Sequence, residues 1–85
     1  MAWVYILQNN QKRYYIGITA FLPKERLSRH NKGDVASTRN GRPWRIVYIE
    51  PASNMKSARV RERKIKSWKS GNAFKKLLSQ NSGIV

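Results

Sequence analysis

The chain has 85 residues, enough for one small domain with a single modest core, and it has no cysteine, which excludes disulfides and a thiolate-bound zinc. Eighteen Lys and Arg against four acids give a net charge of +14, so the expected partner is a polyanion, with nucleic acid ahead of an anionic membrane surface or an acidic protein. Forty per cent hydrophobic residues exclude a disordered tail, and no apolar run reaches the ~20 residues of a membrane span; with no signal-peptide pattern at the N-terminus, a cytoplasmic location is expected.

Residues 3–7 (WVYIL) are apolar at every position, which predicts a strand buried on both faces. Residues 8–12 are polar, carry Asn9 and Asn10, and read as a hairpin turn into a second strand over 13–18. A three- or five-residue loop sets Tyr5 and Tyr15 on one face of the sheet, whereas a two-residue Asn-Asn turn separates them. The longer loop is favoured, because Asn-Asn lacks the glycine of a tight hairpin. Gly17 removes a side chain late in the second strand, where backbone or ligand can come close.

Pro23 suits the first turn of a helix predicted over 22–31, with Gly33 available as a left-handed cap. Arg26 and His30, the only histidine, lie four apart and share a face of that helix. Residues 34–43 form a polar, basic loop, and 44–50 (WRIVYIE) a third strand that Pro51 is expected to stop. Ser53 or Asn54 can cap a second helix running to about residue 69. Ser70-Gly71-Asn72 breaks it, a short last helix carries Phe74, Leu77 and Leu78, and a frayed tail is expected from Ser79. The predicted class is α+β: a three-stranded antiparallel sheet flanked by about three helices, in the order β-β-α-β-α-α. The whole chain, residues 1–85, is expected to be a single domain.

Among the four acids, Glu25, Asp34 and Glu50 have ordinary surface readings. Glu62 differs, because the apolar stripe Met55, Ala58, Ile65, Trp68 runs through it. A carboxylate half-turned into a core is costly unless paired or coordinating a cation. Two readings stand: an i,i+4 pair with Lys66, worth about 0.2–0.5 kcal/mol, or a metal ligand. Tyr5 and Tyr15 taken singly are core aromatics, Arg26 one of many solvated cations, and His30 a partner of the helix dipole. Their order and spacing carry more than any one of them.

Taken together, these residues resemble the GIY-YIG nuclease family, in particular its small single-domain bacterial members. Trp3-Val4-Tyr5 stands in the place of the first tripeptide and keeps its tyrosine, and Tyr15-Ile16-Gly17 matches the second in full. Arg26 and His30 resemble the R-x-x-x-H helix. Gly33 through Ser37-Thr38 to Arg42-Pro43-Trp44 resembles the loop into the third strand, and Ala58-Arg59-x-x-Glu62 followed by Ile65-Lys66-x-Trp68 resembles the helix that carries the glutamate. The interval from Gly17 to Arg26 is one residue longer than the common form. The resemblance implies hydrolysis of DNA phosphodiester bonds with one divalent cation, Mg²⁺ or Mn²⁺, held by Glu62. It implies that Arg26 grips the scissile phosphate, that Tyr5, Tyr15 and His30 handle the attacking water, and that Gly17 leaves room near the phosphate. Arg42, Lys66 and Asn72, the last as counterpart of a late asparagine in some members, are expected to bind substrate. A protein partner is a candidate source of target specificity. The alternative is a basic DNA- or RNA-binding module that does not cut.

Overall fold

The structure is a computed structural model, and it describes residues 1–69 and 71–80. Its order is β1 (Ala2–Asn9), β2 (Tyr14–Thr19), α1 (Pro23–Lys32), a short 3-10 turn (Arg39–Gly41), β3 (Trp44–Ala52), α2 (Met55–Trp68) and α3 (Asn72–Ser79). The three strands form one antiparallel sheet in the order β2-β1-β3, so the most apolar strand is central. This is the α+β architecture that the sequence predicts.

The hairpin has the longer loop. Gln8 pairs with Tyr14 and Tyr5 with Gly17, which leaves Tyr5 and Tyr15 on one face. Asn9 shapes the turn: its side-chain Oδ1 accepts from the backbone N–H of Gln11 and of Arg13, at 3.0 and 2.9 Å. Lys12 takes the left-handed conformation there, at φ 63°.

Because side chains alternate along a strand, β1 feeds two cores. Ala2, Val4 and Ile6 point to one face, with Ile16, Tyr48, Ala58, Ile65, Phe74 and Leu77; α2 and α3 cover it. Tyr5 and Leu7 point to the other, with Trp44, Tyr15, Leu27, Ile46 and Ile49; α1 alone covers that side. Glu50 ties β3 to α2 by accepting from Arg61 Nε at 2.8 Å and from the Tyr48 hydroxyl.

The helix ends follow local chemistry. Pro23 opens α1, and Gly33 closes it at φ 85°, with its N–H on His30 O and that of Asp34 on Arg29 O. Asn54 caps α2, its side chain accepting from Ser57 N at 2.8 Å. Two expectations need correction. Pro51 does not stop β3, which continues to Ala52 with Pro51 opposite Trp3. β3 is an edge strand, where a proline's missing N–H can face solvent without breaking the ladder. Met55 opens α2 and is exposed, because the stripe reaches the sheet only from Ala58 onward. α3 includes Ser79, where fraying was expected to begin; Ser70 and the rest of that tail, 81–85, lie outside the described residues.

Candidate functional site

The one-helix face holds the site. Tyr5 rises from the central strand, and its phenol crosses to the edge strand β2 at Gly17. A methyl group on Gly17 would lie 2.6 Å from the Tyr5 oxygen and 2.9 Å from the Tyr15 ring. The room on the side where a side chain would stand is therefore filled by Tyr5 itself. A side chain here would push the phenol out of its place.

The Tyr5 hydroxyl meets His30 Nε2 at 2.8 Å. His30 is fully buried on α1, and its Nδ1 lies 2.7 Å from Thr38 Oγ1. The Thr38 hydroxyl donates onward to Val35 O at 3.4 Å, so it receives the Nδ1 proton. That assigns the tautomer: Nε2 carries no proton and accepts from the Tyr5 hydroxyl. The loop behind Thr38 is pinned by Trp44, whose indole N–H donates to Thr38 O at 2.9 Å. Asn31 holds Trp44 at both backbone groups, at 2.8 and 3.0 Å. Tyr15 packs edge-on to both His30 and Trp44, with centroids 4.9 and 6.4 Å away.

Electrostatics follow from this burial. Burial pushes the Tyr5 phenol up to about 12; the Arg26 guanidinium opposes the rise, while Tyr15 and Glu62 add to it. Burial, and then the charge of Arg26, lower His30 from 6.5 to about 4. At neutral pH both groups are uncharged. Arg26 shares the α1 face with His30, and its Nε is a buried donor without a partner. An unmet donor on a charged group is expensive, and an anionic oxygen would satisfy it.

Glu62 comes from α2, on the other side of the sheet. Its side chain is only 12% exposed, and Lys66 Nζ lies 3.5 Å from its Oε2. That is the i,i+4 pair expected, but it is longer than a hydrogen bond and its lysine is half exposed. Among the described residues no hydrogen bond reaches this carboxylate, and no group of three or more His, Asp or Glu surrounds it. One loosely held carboxylate fits Mg²⁺ or Mn²⁺, which keep most of their shell as water.

The structure thus joins Tyr5, Tyr15, Gly17, Arg26 and His30, with Glu62 near enough to act on Tyr5. Lys66 stands at Glu62. Arg42 sits in the loop after α1, and Asn72 is the first residue of α3; no hydrogen bond links either to the Tyr5–His30 group among the described residues. Sequence reasoning missed Thr38, Asn31 and the anchoring role of Trp44. The only signal was their place in and beside the loop that leads into the third strand: Asn31 near the end of α1, Thr38 within the loop and Trp44 at the start of β3.

Comparisons with known proteins give the family. The GIY-YIG catalytic domain family matches residues 1–76. A UPF0213 protein of Syntrophus aciditrophicus (strain SB) is 32% identical over 81 residues, spanning 93% of this chain and 91% of the relative. The solution NMR structure of a UPF0213 protein from Bacillus halodurans is similar at a TM-score of 0.60 and 27% identity, covering 98% of this chain and 88% of that one. Among the described residues, no helix is long and apolar enough to cross a membrane.

Proposed function

The chain belongs to the GIY-YIG family, a nuclease family, and from that premise we propose that it is a metal-dependent endonuclease that hydrolyses DNA phosphodiester bonds. The observation that carries the reading is the buried Tyr5–His30–Thr38 chain lying against an Arg26 whose Nε lacks an acceptor.

Hydrolysis needs a water made nucleophilic, charge on the phosphorane stabilised, and a leaving oxygen assisted. Tyr5 takes the proton of the attacking water on its phenol oxygen while its own proton passes to His30 Nε2, which lies 2.8 Å from that oxygen. Thr38 keeps Nδ1 protonated, so that Nε2 is the open acceptor. Arg26 would present its planar fork to the scissile phosphate, meeting the developing negative charge. Tyr15 sets the orientation of the His30 ring by edge packing. Glu62 would hold the divalent cation, which supplies Lewis acidity toward the phosphate and the leaving oxygen. The surplus of cations supplies salt-sensitive affinity for the duplex.

The test is nicking and linearisation of supercoiled and branched DNA with Mg²⁺, Mn²⁺ or EDTA, beside Glu62→Ala. Cleavage should require metal and vanish in the variant while fold and DNA affinity persist. Full activity of Glu62→Ala sinks the proposal. The rival reading, a binding module that does not cut, draws on the Glu62–Lys66 ion pair. It expects binding indifferent to EDTA and no cutting on any substrate.

A further inference from the structure

The loop between α1 and β3 turns Thr38 inward to His30. Its outer side carries two arginines held in an unusual way. Arg39 Nε donates to Gly33 O, and Arg42 Nε donates to Arg39 O, each at 2.8 Å. Both guanidinium groups are thereby fastened to backbone through their inner nitrogen. Among the described residues no hydrogen bond engages the Nη nitrogens of either fork. Neither arginine is neutralised: the ion pairs among the described residues are Arg61–Glu50 and Lys66–Glu62, and Asp34, the one acid of this loop, pairs with neither. Asn31, Arg39, Asn40, Arg42 and Pro43 line one open, polar pocket.

Gly33 completes the arrangement. A methyl group there would lie 2.7 Å from Arg42 Nη1 and 3.2 Å from its Cζ, so Arg42 lies over the bare glycine. The residue that caps α1 also makes the seat for a guanidinium.

We propose that Arg39 and Arg42 form a clamp for one backbone phosphate of the bound nucleic acid, apart from the scissile phosphate at Arg26. The chemistry fits a tetrahedral oxyanion: two unneutralised forks, pre-oriented through Nε, converge on a polar pocket with side-chain amides beside them. Pre-orientation reduces the freedom lost on binding. The clamp sits on the turn that holds Thr38, so phosphate bound outside steadies the residue that fixes His30 inside. This inference rests on the nucleic-acid reading above and deepens it.

The experiment is fluorescence anisotropy of the full chain with a labelled DNA duplex, over a KCl series in EDTA, so that cleavage plays no part. Arg39→Gln/Arg42→Gln should weaken binding about tenfold at physiological salt and flatten the salt slope by about one. Lys24→Gln/Arg45→Gln removes the same charge elsewhere and should weaken binding much less. Gly33→Asn changes no charge, tolerates the left-handed backbone, and displaces only the flexible end of Arg42; it should weaken binding in the same direction as the double variant. Equal losses from the two charge-matched pairs, or normal binding by the clamp variants, overturn the clamp and leave the nuclease reading standing. Clamp-dependent binding without metal-dependent cleavage overturns the nuclease reading and leaves the clamp. A wild-type chain that does not bind the duplex overturns both.

Discussion

The two faces of the sheet are built from alternate residues of the same strands, yet they differ in kind. The face under α2 and α3 is a mainly apolar core, with Tyr14 edge-on to Phe74 at 5.0 Å and the Tyr48 hydroxyl directed to Glu50. The face under α1 buries a histidine, a threonine and a phenol, and α1 leaves Trp3, Leu22, Leu27, Ile46 and Ile49 lining an open cleft. Burying polar groups in a hydrogen-bonded chain contributes less than packing apolar ones, and a half-covered face gains less still. One face therefore stabilises the domain, and that lets the other hold uncharged Tyr5 and His30 beside an arginine. The lesson is a division of labour within a single sheet, set by strand alternation.

The largest effect should come from breaking the two-helix face. Phe74→Ala empties a fully buried site and should cost about 3–5 kcal/mol, measured by urea unfolding. That is a large part of the stability of any domain this small. A loss under about 1 kcal/mol would mean that the one-helix face carries the stability, and the comparison would fail.

His30 tests the other face. Its folded-state value of about 4 lies below the unfolded 6.5, because burial and Arg26 disfavour the imidazolium; Tyr5, Tyr15 and Thr38 are its remaining neighbours. A depressed value means that the unfolded chain binds the proton first. The contribution of neutral His30 is thus complete above about pH 6.5 and is lost as pH falls toward 4. Unfolding free energy should drop by about 2 kcal/mol between pH 7 and pH 5, and that step should be missing in His30→Gln. A step that survives in the variant would assign it to other groups.

Gly17→Ala sharpens the comparison at its boundary. The added methyl meets two rings, those of Tyr5 and Tyr15, and rings on a packed sheet yield poorly. We expect a cost of about 1–3 kcal/mol in stability by thermal unfolding, together with loss of cleavage as the phenol leaves His30. Stability lost with cleavage intact would show that the Tyr5–His30 contact is structural.

How far the sequence revealed this follows the range of the forces involved. The all-apolar β1 announced two covered faces, and the missing glycine in Asn9-Asn10 announced the longer hairpin that aligns Tyr5 with Tyr15. Gly33 and Asn54 marked helix ends through chemistry confined to one turn. Arg26 and His30 were visible as a helical pair. The role of Thr38 was not, because it lies in a contact with His30 eight positions away, across the end of α1 and the loop, with nothing periodic to mark it. Pro51 misled because a local rule forbids it in strands generally, while the sheet order makes β3 an edge. Gly17 was noticed, but its neighbour was not: only the register shows that Tyr5 lies across it.

The smallest expected effect bears most directly on Glu62. Lys66 and a divalent cation would compete for the same carboxylate. At 3.5 Å from a half-exposed ammonium, the pair is worth about 0.2–0.5 kcal/mol, so Lys66→Gln should change unfolding by no more than that. The same quantity is what a metal must overcome to displace the lysine. If Glu62 binds the cation, Lys66→Gln should lower the Mn²⁺ concentration that half-saturates the thermal shift by about twofold, with or without DNA. If Glu62 is only the partner of Lys66, Mn²⁺ should not shift the melting temperature of either protein. Because the readout is stability, it separates the metal site from any direct contact of Lys66 with substrate, which would change cleavage and leave the metal-dependent shift untouched.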